Sequence, residues 1–546
     1  MKVEGYLRNI VLAHIIIAIA SISVGIFFGL LQVLSRSNIL PISNSLYYQG
    51  LTIHGVLNAV VFTTFFIVGY LYILTETSLK EKLNKNLVYL SFVVMLLGTL
   101  LAAYALLTNQ ASVLYTFYPP LKAHPTFYIG ATLLIVGSWI AILNTVITFL
   151  RWRKKNPGVK TPGPMIGVIS SYAVWFLATI GVAIEALFLL IPWSLGLVKE
   201  INPTLARTLF WWFGHPLVYF WLLPAYITWY YIIPKVAGGK LYSSLAARIA
   251  FIMFIVFSVP VGLHHQYSDP GITNIYKGIH AFFTFMVAIP SLITAFTVAA
   301  SLEYAGRQRG GNGLFGWWIK LPWGNYLFAY AISGMIAFIF GGISGIVNAS
   351  YNMNQVVHNT SWIPGHFHLT LGSAVFLTFL GLSLYLPNKL YGKRVFSNKL
   401  GVLGAYSWLI GVLIFSWGMM QLGRAGIPRR TNLAFSPYIA PEERFLMVIA
   451  AVGGTIMFIS FILFLINFFG TLFGRKEENV EAVELDYAEA YHEENNLSPI
   501  WDNWKVWIGI AVLLIIINYS PAFYDVFRAT YFVEGGYLPQ SPIPVK

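Results

Sequence analysis

Apolar stretches of about 20 residues, separated by short polar or charged segments, recur from one end of the chain to the other. A helix of that length crosses the roughly 30 Å hydrocarbon core of a bilayer. We read thirteen spans, at about residues 9–34, 52–75, 87–107, 126–150, 166–193, 206–233, 246–266, 275–301, 326–347, 363–386, 401–423, 445–471 and 505–524. The connections are mostly short, so the expectation is one all-α, polytopic integral membrane domain over residues 1–546. The first run, Ile10 to Leu31, is too long for a signal-peptide core and lacks a small-residue cleavage site. It is expected to be a retained span.

Composition agrees with the pattern. The chain is 57% hydrophobic and 10% charged, with a mean hydropathy of +0.70, which excludes a water-soluble domain of this size. It has no cysteine. Disulfides, Cys-linked haem, iron–sulfur clusters and thiolate copper centres are therefore excluded within this chain. If it handles electrons, they must come from another subunit or a diffusible donor.

The net charge of +14 is explained mostly by loops. Lys and Arg concentrate before span one and after spans two, four, six, eight, ten and twelve, which places the N-terminus in the cytoplasm and the C-terminus outside. No basic–aromatic module suggests a nucleic-acid partner. Glu477 to Glu494 holds eight of the 20 carboxylates and is expected to lie in a solvated cytoplasmic linker, about residues 475–500. Of the other acids, Glu185 alone sits well inside a span.

With that topology six histidines fall in the outer part of the membrane: His54, His215, His264, His265, His366 and His368, on four spans. A single intramembrane histidine is readily a satisfied polar side chain. Six at one depth are hard to explain by packing, because a buried imidazole costs free energy without a partner. Metal ligation supplies partners. His366 and His368 are two residues apart, about 200° around a helix, so they face opposite sides and address different cofactors. His264 and His265 would diverge by about 100° on a straight helix and converge only if its end is distorted. Pro260 supplies a cause. With His215 they make three imidazoles with an open position, a set suited to copper or zinc. In Gly214-His215-Pro216-Leu217-Val218-Tyr219, a helix puts His215 and Tyr219 on one face, and Tyr226 and Tyr230 continue it.

These runs, together with His264-His265 and Pro364-Gly365-His366-Phe367-His368, resemble subunit I of the haem–copper oxygen reductases, over spans one to twelve. The similarity is to the B-type branch, the ba3-type cytochrome oxidases. The A-type branch commonly has a Glu after the His-Pro pair, where Leu217 stands here.

The resemblance implies that His54 and His368 are axial ligands of a low-spin haem, of b type, and that His366 is the single ligand of a high-spin haem, of a type. His215, His264 and His265 would hold the copper, CuB, with dioxygen reduced between iron and copper. Tyr219 matches the tyrosine that this family bonds covalently to the copper-ligand histidine. Tyr219, Tyr226, Tyr230, Thr284, Ser291 and Thr294 match a proton path from the cytoplasm. Back-bonding to its own helix is the simpler account of any one Ser or Thr. His358, Arg429 and Arg430 are expected beside the haem propionates. Asn354 departs from the pattern, since B-type relatives tend to carry an acid near it.

The activity implied is that of a terminal respiratory oxidase in the cell's plasma membrane, coupling dioxygen reduction to proton uptake and pumping. Its partners would be lipid, a subunit II with a dinuclear copper centre, a small extra helix subunit, and cytochrome c or quinol as donor. Two alternatives remain open at this stage. A nitric oxide reductase shares the histidine pattern but lacks the helix tyrosine, and a cofactor-free proton-coupled transporter would leave the opposed His366 and His368 unexplained.

Overall fold

The computed structural model describes residues 3–269, 271–474, 485–493 and 498–531, with the side chains of 528–531 left aside. Among the described residues thirteen helices are long and apolar enough to cross a membrane. They run Gly5–Arg36, Asn44–Leu79, Lys85–Leu107, Pro125–Lys155, Gly163–Ser194, Pro203–Val236, Ser244–Gln266, Asn274–Gln308, Tyr326–Ala349, Trp362–Tyr391, Asn398–Arg424, Pro441–Phe473 and Trp504–Phe527. All thirteen expected spans are present, and most run longer than their apolar cores. Polar caps and proline extend them into the interface: the side chains of Ser43, Asn84, Asn202 and Ser397 accept backbone N–H groups at helix starts, Pro203 follows Asn202 at the first position of its helix, and Pro125 and Pro441 open two more. His54 consequently lies ten residues inside span two rather than at its opening.

Burial sorts the spans. Spans two, six and ten have 89%, 89% and 83% of their most apolar windows enclosed, against 33% for span three and 28% for spans eight and thirteen. The innermost helices are the ones that carry His54, His215, His366 and His368. They are also irregular. Span two winds into a π-helix at Leu57–Phe62 directly after His54, span ten does so at Thr370–Val375 directly after His368, and span five at Ala186–Leu190 directly after Glu185. Such widened turns are rare and gather at functional positions.

The all-α expectation needs one amendment. Leu241–Ser243 and Ala490–His492 pair as a two-stranded parallel sheet. The acidic linker is only partly the free, solvated segment expected: residues 475–484 and 494–497 lie outside the described residues, but 485–493 is docked. Leu485 and Ala488 are buried, the Tyr487 hydroxyl meets Thr77 Oγ1 at 2.6 Å, and Ala488 N–H donates to the Tyr231 carbonyl at 2.7 Å. Apolar residues interleaved with the acids give this segment a face to bury, and Lys235 and Lys240 pair with Asp486 and Glu489 at its edge.

Candidate metal centre

The helix of span seven stops at Ser258, just before Pro260, and the chain re-forms as a 3-10 turn at Leu263–Gln266. Proline removes a backbone donor and crowds the preceding turn, which is the distortion the adjacent histidines require. The result is convergence. Ligand-capable nitrogens of His215, His264 and His265 all lie within 4.8 Å of one another. The His264 ring centre is 4.2 Å from both His215 and His265.

Hydrogen bonding leaves this set short of partners. His264 Nδ1 meets Thr284 Oγ1 at 2.9 Å, and that hydroxyl donates to the His280 carbonyl at 2.5 Å. The imidazole Nδ1–H therefore donates to Thr284, and its Nε2 keeps a lone pair. Nε2 of His215 and of His265 are buried with no hydrogen-bond partner among the described residues. Three neutral imidazoles turned on one point call for a cation. Trp211 stacks on His265 at 3.8 Å and 12°, and Tyr219 lies one turn beyond His215 with ring centres 5.0 Å apart.

On span ten the two histidines separate as their spacing requires. His366 Nδ1–H donates to the Gly341 carbonyl at 3.1 Å, with Ser344 Oγ at 3.0 Å. His368 turns the other way and faces His54, ring centres 6.0 Å apart and planes 13° from parallel. Nδ1 of His368 is held by the Pro364 carbonyl at 2.7 Å and Nδ1 of His54 by the Gly25 carbonyl at 2.8 Å. Each ring thus has Nε2 free for a ligand. Both line a cavity of about 260 Å³ with apolar walls, including Phe62, Trp221 and Phe415, and a cationic end formed by Arg36, Arg429 and Arg430.

Residues 9–456 match the family described as Cytochrome C and Quinol oxidase polypeptide I. The chain belongs to the haem–copper oxidase subunit I family. It is 43% identical over 535 residues, 95% of each chain, to cytochrome c oxidase subunit 1 of Thermus thermophilus, which places it in the ba3-type branch. A quinol oxidase subunit 1 of Sulfolobus acidocaldarius is 24% identical over 74% of this chain and 78% of its own. A chain from a heme-copper terminal oxidase dimer, solved by cryo-electron microscopy, superimposes with a TM-score of 0.94 at 45% identity, covering 99% of this chain and 97% of that one. The protein is thus the catalytic subunit of a terminal oxidase, a multi-pass membrane oxidoreductase.

Haem–copper oxidases carry haem and copper, and the residues present fit both. His54 and His368, facing each other with ring centres 6.0 Å apart, leave room for a metal ion and would hold it. At the cationic end, Arg429 Nε and one Arg430 Nη are buried without partners among the described residues. Burial, then Arg430, pushes the Arg429 guanidinium down to about 10, so it stays charged at neutral pH. Two half-buried cations, each with one buried and unmet donor, match an anionic edge such as haem propionates. His358 is nearby, driven down to about 4 by burial and then by Arg429. Its Nδ1–H donates to Asn354 Oδ1 at 2.9 Å, and the Asn354 amide donates to the Asn348 carbonyl at 2.6 Å. Asn354 therefore serves as a hydrogen-bond bridge where an acid was expected.

The expected proton path is brought together in part. Tyr230 O–H donates to Thr294 Oγ1 at 2.7 Å. The buried Tyr226 hydroxyl lies beside Ser291 without a closed hydrogen bond, and Ser291 back-bonds to the Val287 carbonyl at 3.1 Å. Thr284 belongs to the metal cluster through His264 rather than to the Tyr230–Thr294 pair. Glu185, the one acid expected well inside a span, has both carboxyl oxygens buried and unpartnered among the described residues. Three contributors went unread in the sequence, Trp211, His280 and Asn518. His280 was passed over because no motif includes it, although a histidine four residues before Thr284 on one helix face was a usable signal.

Proposed function

We propose that this chain is the catalytic subunit of a B-type cytochrome c oxidase in which His54 and His368 hold a low-spin b-type haem, His366 holds a high-spin a-type haem, and His215, His264 and His265 hold CuB. The observation that carries the reading is the convergence of three partner-poor imidazoles beside a tyrosine. When bound, haem and copper supply electron transfer and the four-electron reduction of dioxygen to two waters.

The chain's own residues do the rest. His54 and His368 would together hold one haem, for electron transfer, and His366 alone would hold the other, for dioxygen chemistry. Gly341 fixes the His366 tautomer, and Thr284 that of His264. Tyr219 holds a proton and an oxidisable phenol within one helical turn of a copper ligand. Tyr230 and Thr294, with Tyr226 and Ser291 above them, support a hydroxyl route for protons, in keeping with a membrane interior poor in carboxylates. Arg429 and Arg430, with His358, bind and orient the propionates.

Without cysteine the dinuclear copper centre must come from a subunit II, and a small helical subunit completes the complex. Cytochrome c is the favoured donor, supported by the naming of the Thermus relative, with quinol as the alternative. Loop charge supports an N-terminus in the cytoplasm and, with thirteen spans, a C-terminus outside. The test is a reduced-minus-oxidised visible spectrum of the purified complex with and without carbon monoxide, combined with copper and iron analysis. Two haems, one of them shifting with carbon monoxide, and copper beyond that of subunit II are expected. Extra iron in place of that copper would move the reading to nitric oxide reduction.

A further inference from the structure

A helix that breaks inside a membrane leaves backbone groups without intrahelical partners, and lipid cannot supply them. Span seven breaks between Ser258 and Leu263, and two other spans supply what it loses. His280, on span eight, accepts at Nδ1 from the N–H of Gly262 at 3.1 Å and of Leu263 at 3.3 Å. Its Nε2–H donates to the backbone carbonyl of Asn518, on span thirteen, at 3.2 Å. The Asn518 side-chain amide returns to the same break and donates to the Pro260 carbonyl at 3.0 Å. His280 and Asn518 are 0% and 4% exposed, so no bulk water can take over these bonds. Tyr519 packs edge-on against His280, ring centres 5.0 Å apart, and stacks on Trp212 at 5.6 Å.

We infer that His280 and Asn518 are positioning residues for copper: together they splint Pro260–Leu263 in the non-helical form that turns His264 and His265 onto one point with His215. The proposal rests on the copper reading above. Thr284, one turn beyond His280, orients the His264 ring directly. Lys277, one turn before His280, donates from Nζ to the carbonyls of Tyr267 and Asp269, both at 2.8 Å, and clamps the other side of the turn. One face of span eight thus grips the copper-ligand turn at three places. Span thirteen closes the grip from outside residues 9–456, the part that matches the family as a whole.

The test compares the assembled wild-type complex with His280→Leu, Asn518→Leu and His280→Gln. Copper-to-haem ratio and the rate of copper loss to a chelator are measured beside haem content. Both leucine variants are expected to keep both haems and to lose copper at least ~10-fold faster, the scale typical of groups that orient metal ligands. His280→Gln, which keeps an acceptor and a donor, is expected to recover part of the retention. Wild-type copper retention in both leucine variants, or copper and haem lost in step, overturns the proposal. Should the leucine variants fail to assemble, Asn518→Ala removes the donor to Pro260 without adding apolar bulk, and wild-type retention there overturns it equally. Copper retained in His215→Ala, or absent from wild type, defeats the copper reading instead.

Discussion

The imidazoles of His54 and His368 face each other with ring centres 6.0 Å apart and planes 13° from parallel, and each is held from behind by a backbone carbonyl. Two rings so fixed would leave little freedom for a haem held between them. His368→Ala is expected to remove the low-spin haem's visible band while the carbon-monoxide-sensitive haem remains. A spectrum unchanged from wild type would remove the axial assignment.

Gly29 makes a finer test of the same site. A Cβ built there comes 2.6 Å from His54 Nδ1. Gly29→Ala is expected to displace the ring and lower low-spin haem occupancy without touching a ligand. Pyridine haemochrome analysis of the purified complex would show one haem in deficit, and full occupancy would mean that span one yields.

His215→Ala removes one of the three converging nitrogens. Copper loss with retained haem, and loss of oxidase activity, are the expected results. Full activity would sink the copper assignment.

Tyr230→Phe and Thr294→Val each delete one end of a 2.7 Å hydrogen bond. The fold is expected to tolerate this at a cost of about 1 kcal/mol. Turnover, measured as oxygen consumption, is expected to fall severely in both. Wild-type turnover in both variants would exclude this pair from proton delivery.

Arg429→Gln deletes a half-buried cation whose Nε is an unmet donor. Losing one positive charge beside a bound haem would disfavour its reduced form, the more negative of the two. Redox titration is expected to show a lower midpoint. An unchanged midpoint would place the propionates elsewhere.

Much of this molecule was legible because the bilayer leaves so few options. Length and hydropathy marked all thirteen spans, and the two-residue gap between His366 and His368 foretold their opposed faces. The convergence of His264 and His265 was readable through Pro260. What stayed hidden depends on tertiary partners. Nothing local tells Asn518 that Pro260 will need a donor, and the docking of Tyr487 on Thr77 needed the bundle assembled around it. The π-turns at Leu57–Phe62 and Thr370–Val375 leave no hydropathy signature. The Thr284 hydroxyl fitted a proton path by position and a metal ligand by contact; only coordinates could separate the two.

The hydrogen bond from Asn518 to Pro260 joins residues 258 positions apart. During synthesis, the break in span seven therefore enters the bilayer long before the side chain that caps it has been made. The turn that carries His264 and His265 stays partly unsatisfied until span thirteen docks. On the proposed copper reading, firm loading of that turn would follow the docking of span thirteen, and a chain stopped before that span would carry its histidines without the cap on Pro260.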